Sequence, residues 1–441
     1  MFINKFASFL QQKSEVLYEN SLILQNLDKF IVTLIFAIFA LATFVSSDVI
    51  GTIECLVIFL SLLKLFTKKG EKLEFNSFEI VLILFLMLVL VSVAGSSLLL
   101  LSIKGVLKTL TYLGFYFSCV FYFKNHKNHI FPLFLVICGC LTFESIVGLL
   151  QNYIKIGEIS GWQDTSSLNP EQVMTRVYGT LKPFNPNLLC GYFVSAISVL
   201  YGMFAYYFFV EKKKRISVIL LTASVLTTIT MLLTGCRGGY MGWFAMVCAI
   251  LGISYKFIKP ELKNLYYKVL GILAALSASV IVLYLPLRTR ILSIFAFRND
   301  SSNSFRFNVY HSCIEMFKDN WLLGIGVGNL NFREIYGLYM LSGFDALSAY
   351  NIYLETAVES GIFALLAFVT FLGMVLYKGF KFIFNADDKK DVILVAIAVV
   401  SIIGLMIHGM VDTVFFRPQI QTMFWLMVAV ISVEIANKEQ I

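Results

Sequence analysis

Eight of the nine arginines in this 441-residue chain, Arg176, Arg237, Arg288, Arg290, Arg298, Arg306, Arg333 and Arg417, fall in segments that a positive-inside reading puts outside the cytoplasm, whereas most lysines fall inside. Lysine on the cytoplasmic flanks is what membrane orientation demands; arginine on the far side runs against that bias and calls for another reason. An anion supplies it. Guanidinium is a planar fork that grips phosphate or carboxylate through two parallel hydrogen bonds, which the compact, strongly hydrated ammonium of lysine cannot do. The competing explanation is local pairing with loop acids such as Asp164, Glu171, Asp300, Glu315 and Glu334.

The elements that must position these arginines are membrane helices. With 59% hydrophobic and 14% charged residues, apolar runs long enough to cross a bilayer recur along the whole chain. The sequence predicts an all-α polytopic membrane protein with twelve spans, near 30–48, 49–66, 77–96, 105–123, 130–152, 187–210, 216–234, 239–256, 267–287, 350–377, 391–410 and 419–436. Residues 1–28 read as a cytoplasmic amphipathic segment, with Phe2, Phe6, Phe9, Leu10, Val16 and Leu17 at helical spacing, and 29–441 as one transmembrane domain. An even count puts both termini in the cytoplasm of a bacterial inner membrane, and the lysine clusters at 68–72, 124–127, 212–214, 256–268 and 378–390 agree with it. The net charge of +8 is then topology and attraction to membrane lipids, not a nucleic-acid footprint. The eight cysteines show neither metal spacing nor a disulfide framework, and the four histidines are scattered, so neither a metal nor another cofactor is expected.

Two long extracytoplasmic loops are expected, about 153–186 and 288–349, and long ordered loops in compact proteins usually bind something. In the second, Phe305, Val309, Cys313 and Met316 form one helical stripe, which suggests a helix at the membrane surface. GIGVGN at 324–329 follows no strand and reads as a tight turn. Between spans seven and eight, LLTGCRGGYMGW holds Arg237 among Gly235, Gly238 and Gly239. A charge there costs on the order of 3 kcal/mol at the bilayer centre and less at its edge, so it marks a candidate site, the alternative being a guanidinium that snorkels to the interface. The glycines would let an anion approach the backbone closely.

RVYGTLKPFNPNLLCGYF, TGCRGGYMGW, FRFNVYHSCIEMFKDNWLLGIGVGN and AYNIYLETAVESGIFALLAF, in that order from about residue 140 onward, together resemble the O-antigen ligase and polymerase superfamily. The resemblance implies a membrane protein of about a dozen helices. It would transfer a glycan from an undecaprenyl-diphosphate carrier to a glycan, lipid or protein acceptor at the outer face of the inner membrane. It also implies that Arg237 and Arg306 are the family's two arginines, which would stabilise the departing diphosphate. Where many ligases carry a histidine before the asparagine of the tenth-span motif, this chain has Tyr350, and a tyrosine with pKa near 10 is a poor base at neutral pH. Glu355, one turn from Glu359 at the start of span ten, could replace that base, or the two could pair with Arg237 or Arg306. The catalytic candidates are therefore Arg237, Arg306, Glu355 and Tyr350, and the substrate-binding candidates Arg176, Asn187, Arg333 and Asn351. Asn351 also reads as a helix cap and Asn185 and Asn187 as turn residues around Pro186.

SAYNIYLE, NPEQVMTRVYG, GFDALSAY and VDTVFFRPQIQTMFWLMVA are similar to a branch described as inorganic-carbon transport proteins. An anion (bicarbonate) transporter is therefore a second reading, with Glu144 and Gln151 in span five as its candidates for a midplane site. A scaffold in an envelope-assembly complex is a third. A transporter needs polar residues leading to both faces; a transferase needs its cleft to reach only one.

Overall fold

The computed structural model describes residues 2–156, 158–159 and 174–438. Of the first expected loop, 160–173, with Asp164 and Glu171, lies outside the described residues. The helices in chain order are α1 Phe2–Asn20, α2 Leu22–Gln25, α3 Leu27–Leu41, α4 Ser47–Thr67, α5 Ser77–Ser92, α6 Leu99–Phe123, α7 Ile130–Tyr153, α8 Pro186–Ala205, α9 Lys214–Leu233, α10 Arg237–Phe257, α11 Lys263–Leu283, α12 Leu285–Leu292, α13 Ser301–Asp319, α14 Asn329–Tyr336, α15 Ile352–Asn385, α16 Lys389–His408 and α17 Pro418–Lys438. Two short strands, β1 Glu158–Ile159 and β2 Thr175–Arg176, pair antiparallel. The protein is an all-α polytopic membrane protein.

Among the described residues, eleven helices are long and apolar enough to cross a membrane, one fewer than the sequence expectation of twelve. The missing one is α3, whose 15 residues give roughly 22 Å of helix against a hydrocarbon core of about 30 Å. Its ends nevertheless reach opposite faces of the bundle. At one end Asp28 pairs with Lys64 at 2.6 Å, and the ion cluster continues to Glu71 and Lys68. Just past the other end, the Thr43 carbonyl accepts the Thr180 hydroxyl at 3.2 Å. The sequence missed the brevity because the apolar run continues through a turn at 42–46 that ends the helix.

The lysine-bearing loops gather on one face. Lys127 pairs with Glu434 of α17 at 2.7 Å, Asn76 bonds Ser432, Lys256 bonds the Phe384 carbonyl and Lys390 lies over the Phe131 ring. The start of α1 joins the same face through Asn4, which bonds Leu73, so the first and last helices reach the same face. All of the arginines except Arg215 belong to the opposite end.

The core is built on α8, α16 and α17, which are buried along most of their lengths. Close approach rests on small residues: a Cβ on Gly242 of α10 would meet the Gly404 carbonyl of α16, and one on Gly404 would meet Met246. In a membrane such contacts replace the hydrophobic effect as the source of helix–helix affinity. The α11 helix differs, with none of its residues buried against the bundle. The spans also carry more ionisable groups than expected, several of them with local partners. Glu79 takes hydroxyls from Tyr116 and Ser432 at 2.6 and 2.7 Å, and Glu54 accepts from Thr422 at 2.6 Å.

The loop between α12 and α15 packs as an annex on α15. Val309, Cys313 and Met316 of α13 form a small core with Phe332, Ile335 and Tyr336 of α14 and with Ala346, Ala349 and Val358. The stripe read from the sequence is therefore real, but its apolar face is turned onto protein. The GIGVGN segment is the tight turn expected, with Gly324, Gly326 and Gly328 all at positive φ. It lies against a break in α15 at Gly361 (φ 78°), where the Ile325 and Gly326 amides donate to the Val358 and Glu359 carbonyls.

Candidate functional site

Between the annex and the arginine end of the bundle lies a cavity of about 210 Å³ whose wall includes Arg176, Arg237, Arg290, Arg306 and Arg417. Five of the eight arginines singled out by their placement thus converge from four separate stretches of chain.

Four of them are held in place by neighbouring groups. Arg176 sits at the end of β2, where its Nε donates to the Thr234 carbonyl at 2.6 Å and its Nη2 to Asn187 Oδ1. Arg237 opens α10, and its Nη1 meets Asp300 at 2.8 Å and the Ser293 hydroxyl at 3.1 Å. Arg290 in α12 donates from Nε to the Gly235 carbonyl at 2.7 Å. Arg306 in α13 donates from Nη1 to Ser302 at 2.8 Å and lies 5.8 Å from the Tyr350 ring centre. Two donors have no partner although buried, Arg237 Nη2 and Arg306 Nε. A buried charged donor left unpaired is costly, so these two donors mark the cavity as a candidate site for an acceptor from outside. The N-terminus of the 21-residue α10 abuts the same space through Cys236, Arg237 and Gly238, adding the positive end of its dipole. Crowding of like charges shows at Arg290: burial, then Arg176 and Arg237, lower its pKa to about 10.

Besides Asp300 on Arg237, one carboxylate stands among the described residues of the cavity wall. Asp412, beyond the end of α16, is 2% exposed. Its Oδ1 accepts from the Thr413 amide at 2.7 Å and its Oδ2 from Asn187 Nδ2 at 3.1 Å, with Arg306 Nη2 3.9 Å away. Burial raises its pKa, and Cys236 adds to the rise, against the lowering pull of His408 and Arg306. Burial also raises the Tyr350 pKa, and the Asp412 charge adds to that, so this tyrosine is still further from acting as a base at neutral pH.

The positions proposed from the sequence divide cleanly. Arg237, Arg306, Tyr350, Arg176 and Asn187 line the cavity. Asn187 does more than turn the chain, since its amide links Arg176 to Asp412. Asn351 caps α15, accepting from the Tyr353 and Leu354 amides, and is not in the wall. Arg333 lies outside too, paired with Asp345 at 3.1 Å on the surface. Glu355 points away from the arginines. It takes the Ala349 amide at 3.2 Å and borders a second cavity of about 120 Å³, shared with Glu359 and Lys108 and walled by Tyr112, Phe368, Phe415 and Trp425. The pairing of Glu355 or Glu359 with Arg237 or Arg306 is therefore corrected: Asp300 and Asp412 hold those places, and Glu359 anchors the Gly328 amide at 3.0 Å. The glycines also serve otherwise than expected. The space that a side chain on Gly238 or Gly239 would need is filled by His408 and Cys190, so they allow helix packing rather than approach of a ligand.

Sequence reasoning missed Asp412 and His408 as site components, and singled out Arg290 and Arg417 only as members of the arginine set, without individual roles. The signal was present in HGMVDTVFFRP, a histidine inside an apolar span with an aspartate four residues on. Cys236, His408 and Asp412 come together with their ligand-type atoms within 4.8 Å of one another, a meeting that scattered positions conceal. The surroundings fit a dication poorly: guanidinium groups crowd the Asp412 side, Asn187 already occupies its Oδ2, and His408 Nδ1 has no partner, whereas a metal-bound imidazole normally donates its other N–H.

Residues 222–369 match the family described as O-antigen ligase. No curated protein matches the chain. The matched stretch carries Arg237, Arg290, Arg306, Tyr350 and the annex, and supports both the resemblance to the O-antigen ligase superfamily and a membrane glycan ligase or polymerase type of function. Arg176, Asn187, Asp412 and Arg417 lie outside it.

Proposed function

We propose that the chain transfers a glycan from an undecaprenyl-diphosphate-like lipid to an acceptor at the outer face of a bacterial inner membrane, with the arginine cavity holding the diphosphate. The observation that carries this reading is five arginines lining one cavity at the arginine end of the bundle, two of them with buried, unpaired donors. Cleaving a glycosyl–diphosphate bond leaves negative charge on the departing oxygen, and fixed cations in a partly dehydrated site lower that barrier by several kcal/mol. The family match at 222–369 is consistent with that chemistry.

Transport of an anion is the weaker reading. Glu144 and Gln151, its candidates for a midplane site, both hold the loop at 178–180: Glu144 accepts from the Thr180 amide at 2.9 Å and Gln151 from the Gly179 amide at 2.9 Å. Toward the lysine face α8 and α16 meet through buried apolar side chains such as Ile197, Leu200, Ile397 and Val400. The test is consumption of lipid-linked glycan in membranes bearing the protein. Transfer that falls in Arg306→Lys, with the protein still folded, supports the proposal; bicarbonate uptake that depends on Arg237, with no glycan consumed, rejects it.

A further inference from the structure

We propose that Asp412 is the catalytic base of this cavity, held in register by Asn187, and that it takes the proton from the acceptor hydroxyl. This rests on the transferase reading above and fills the role that neither Tyr350 nor Glu355 can fill from where they stand.

The geometry is specific. Among the cavity's described lining residues Asp412 is the only carboxylate, standing where five guanidiniums would face the diphosphate. It is fixed from both sides: the Thr413 amide holds Oδ1, and the Asn187 side chain holds Oδ2 at 3.1 Å. Asn187 is itself fixed, because its carbonyl accepts from Arg176. A chain of contacts therefore runs from an arginine that would hold the donor, through Asn187, to the carboxylate that would receive the acceptor's proton. The two halves of the reaction are tied to one positioning residue.

In the step itself the acceptor oxygen forms a bond to the anomeric carbon of the donor sugar. The bond from that carbon to the diphosphate oxygen breaks, and its electron pair stays on the diphosphate, where Arg237 and Arg306 face it. The acceptor's hydroxyl proton passes to Asp412 and is later lost to water. No oxidant, reductant or further reactant is needed. A single anionic base in a cationic cavity is also compatible with binding the donor, since the arginines outnumber it.

Asp412 is buried and faces charged or titratable groups from the elements against it: Arg306 and Tyr310 of α13, Tyr350 before α15, Cys236 before α10, Cys190 of α8 and His408 at the end of α16. Burial outweighs the nearby cations and moves its pKa upward, toward the working range of a general base.

The test uses the full-length protein with Asp412→Asn, Asp412→Glu and Asn187→Ala. Transfer is read as lipid-linked glycan consumed in membranes, and binding by titrating purified protein with geranylgeranyl diphosphate. Asp412→Asn keeps the shape and the Thr413 contact, so transfer should fall roughly 100- to 10,000-fold while the diphosphate probe binds as well as before or more tightly, because a negative charge has left an anion site. The rising limb of the wild-type rate against pH should vanish in this variant, and Asp412→Glu should recover part of the rate. Asn187→Ala should lower the rate without removing the limb. Asp412→Asn protein that keeps full transfer overturns the assignment. So does weaker probe binding in step with lost thermal stability, which would make Asp412 a structural partner of Arg306, and so does transfer abolished by a chelator and restored by zinc, which would make Cys236, His408 and Asp412 a metal site. If Arg237→Lys leaves both binding and transfer unchanged, the transferase reading itself fails, whatever Asp412 does.

Discussion

Replacing Arg237 by lysine separates the guanidinium fork from its charge. In the native protein Nη1 is committed to Asp300 at 2.8 Å and to Ser293, while the buried Nη2 has no partner and is left for a ligand. Lysine can satisfy Asp300 or reach into the cavity, but not both. It therefore removes about one charge-assisted hydrogen bond from the bound diphosphate, on the order of 1.5–3 kcal/mol, or roughly 10- to 150-fold in affinity. In the transition state, where the leaving oxygen gains charge, loss of one such donor costs about 2.7–4 kcal/mol, so the rate should drop roughly 100- to 1,000-fold. Fold and expression should survive, since the charge and the Asp300 pairing can persist. The assay is lipid-linked glycan consumed per folded protein in membranes, with thermal unfolding in detergent as the control. A rate within about 3-fold of wild type would refute the proposed role, and collapse of the folded protein would make Arg237 a structural residue.

Arg333→Lys, which alters only the surface pair with Asp345, should leave the rate and the melting temperature unchanged in the same two assays. Glu355→Gln should keep transfer within about 5-fold, because Glu355 borders the second cavity and a glutamine carbonyl can still accept from the Ala349 amide; complete loss with folding intact would return it to the reaction. Gly239→Ala would drive a methyl group into Cys190, and overpacking of this kind costs about 1–3 kcal/mol, visible as a lower melting temperature. For orientation, a cysteine at the exposed Leu338 should react with a membrane-impermeant thiol reagent in intact cells and one at Lys213 should not; labelling at Lys213 would invert the topology.

The fold was legible because spans, caps and charge placement each leave a local mark. Asn351 could be read as a helix start, the stripe through Val309 and Cys313 as a helix face, and the arginines as one end of the bundle. The errors came where tertiary contact decides. Two apolar runs joined at 42–46 concealed how short α3 is. Glu355 and Glu359 were expected near the arginines because they share the end of a helix with Tyr350, yet successive residues on a helix point in different directions, and these two face the second cavity. Asp412 was invisible as a partner of Asn187 because 225 positions separate them and nothing local records the meeting. His408 and Glu54 show the same limit: an ionisable residue inside a span announces importance, but only packing reveals whether it holds a neighbour or meets a ligand.

The central claim, that the arginine cavity binds a lipid diphosphate, is tested most directly by titrating the purified protein with geranylgeranyl diphosphate, geranylgeranyl monophosphate and geranylgeraniol, in wild-type and Arg237→Lys forms. The account predicts affinity in that order, diphosphate tightest, with the diphosphate weakened at least about 10-fold in the variant while the alcohol is unaffected. Equal affinity for all three lipids, or diphosphate binding that is indifferent to Arg237, would contradict it.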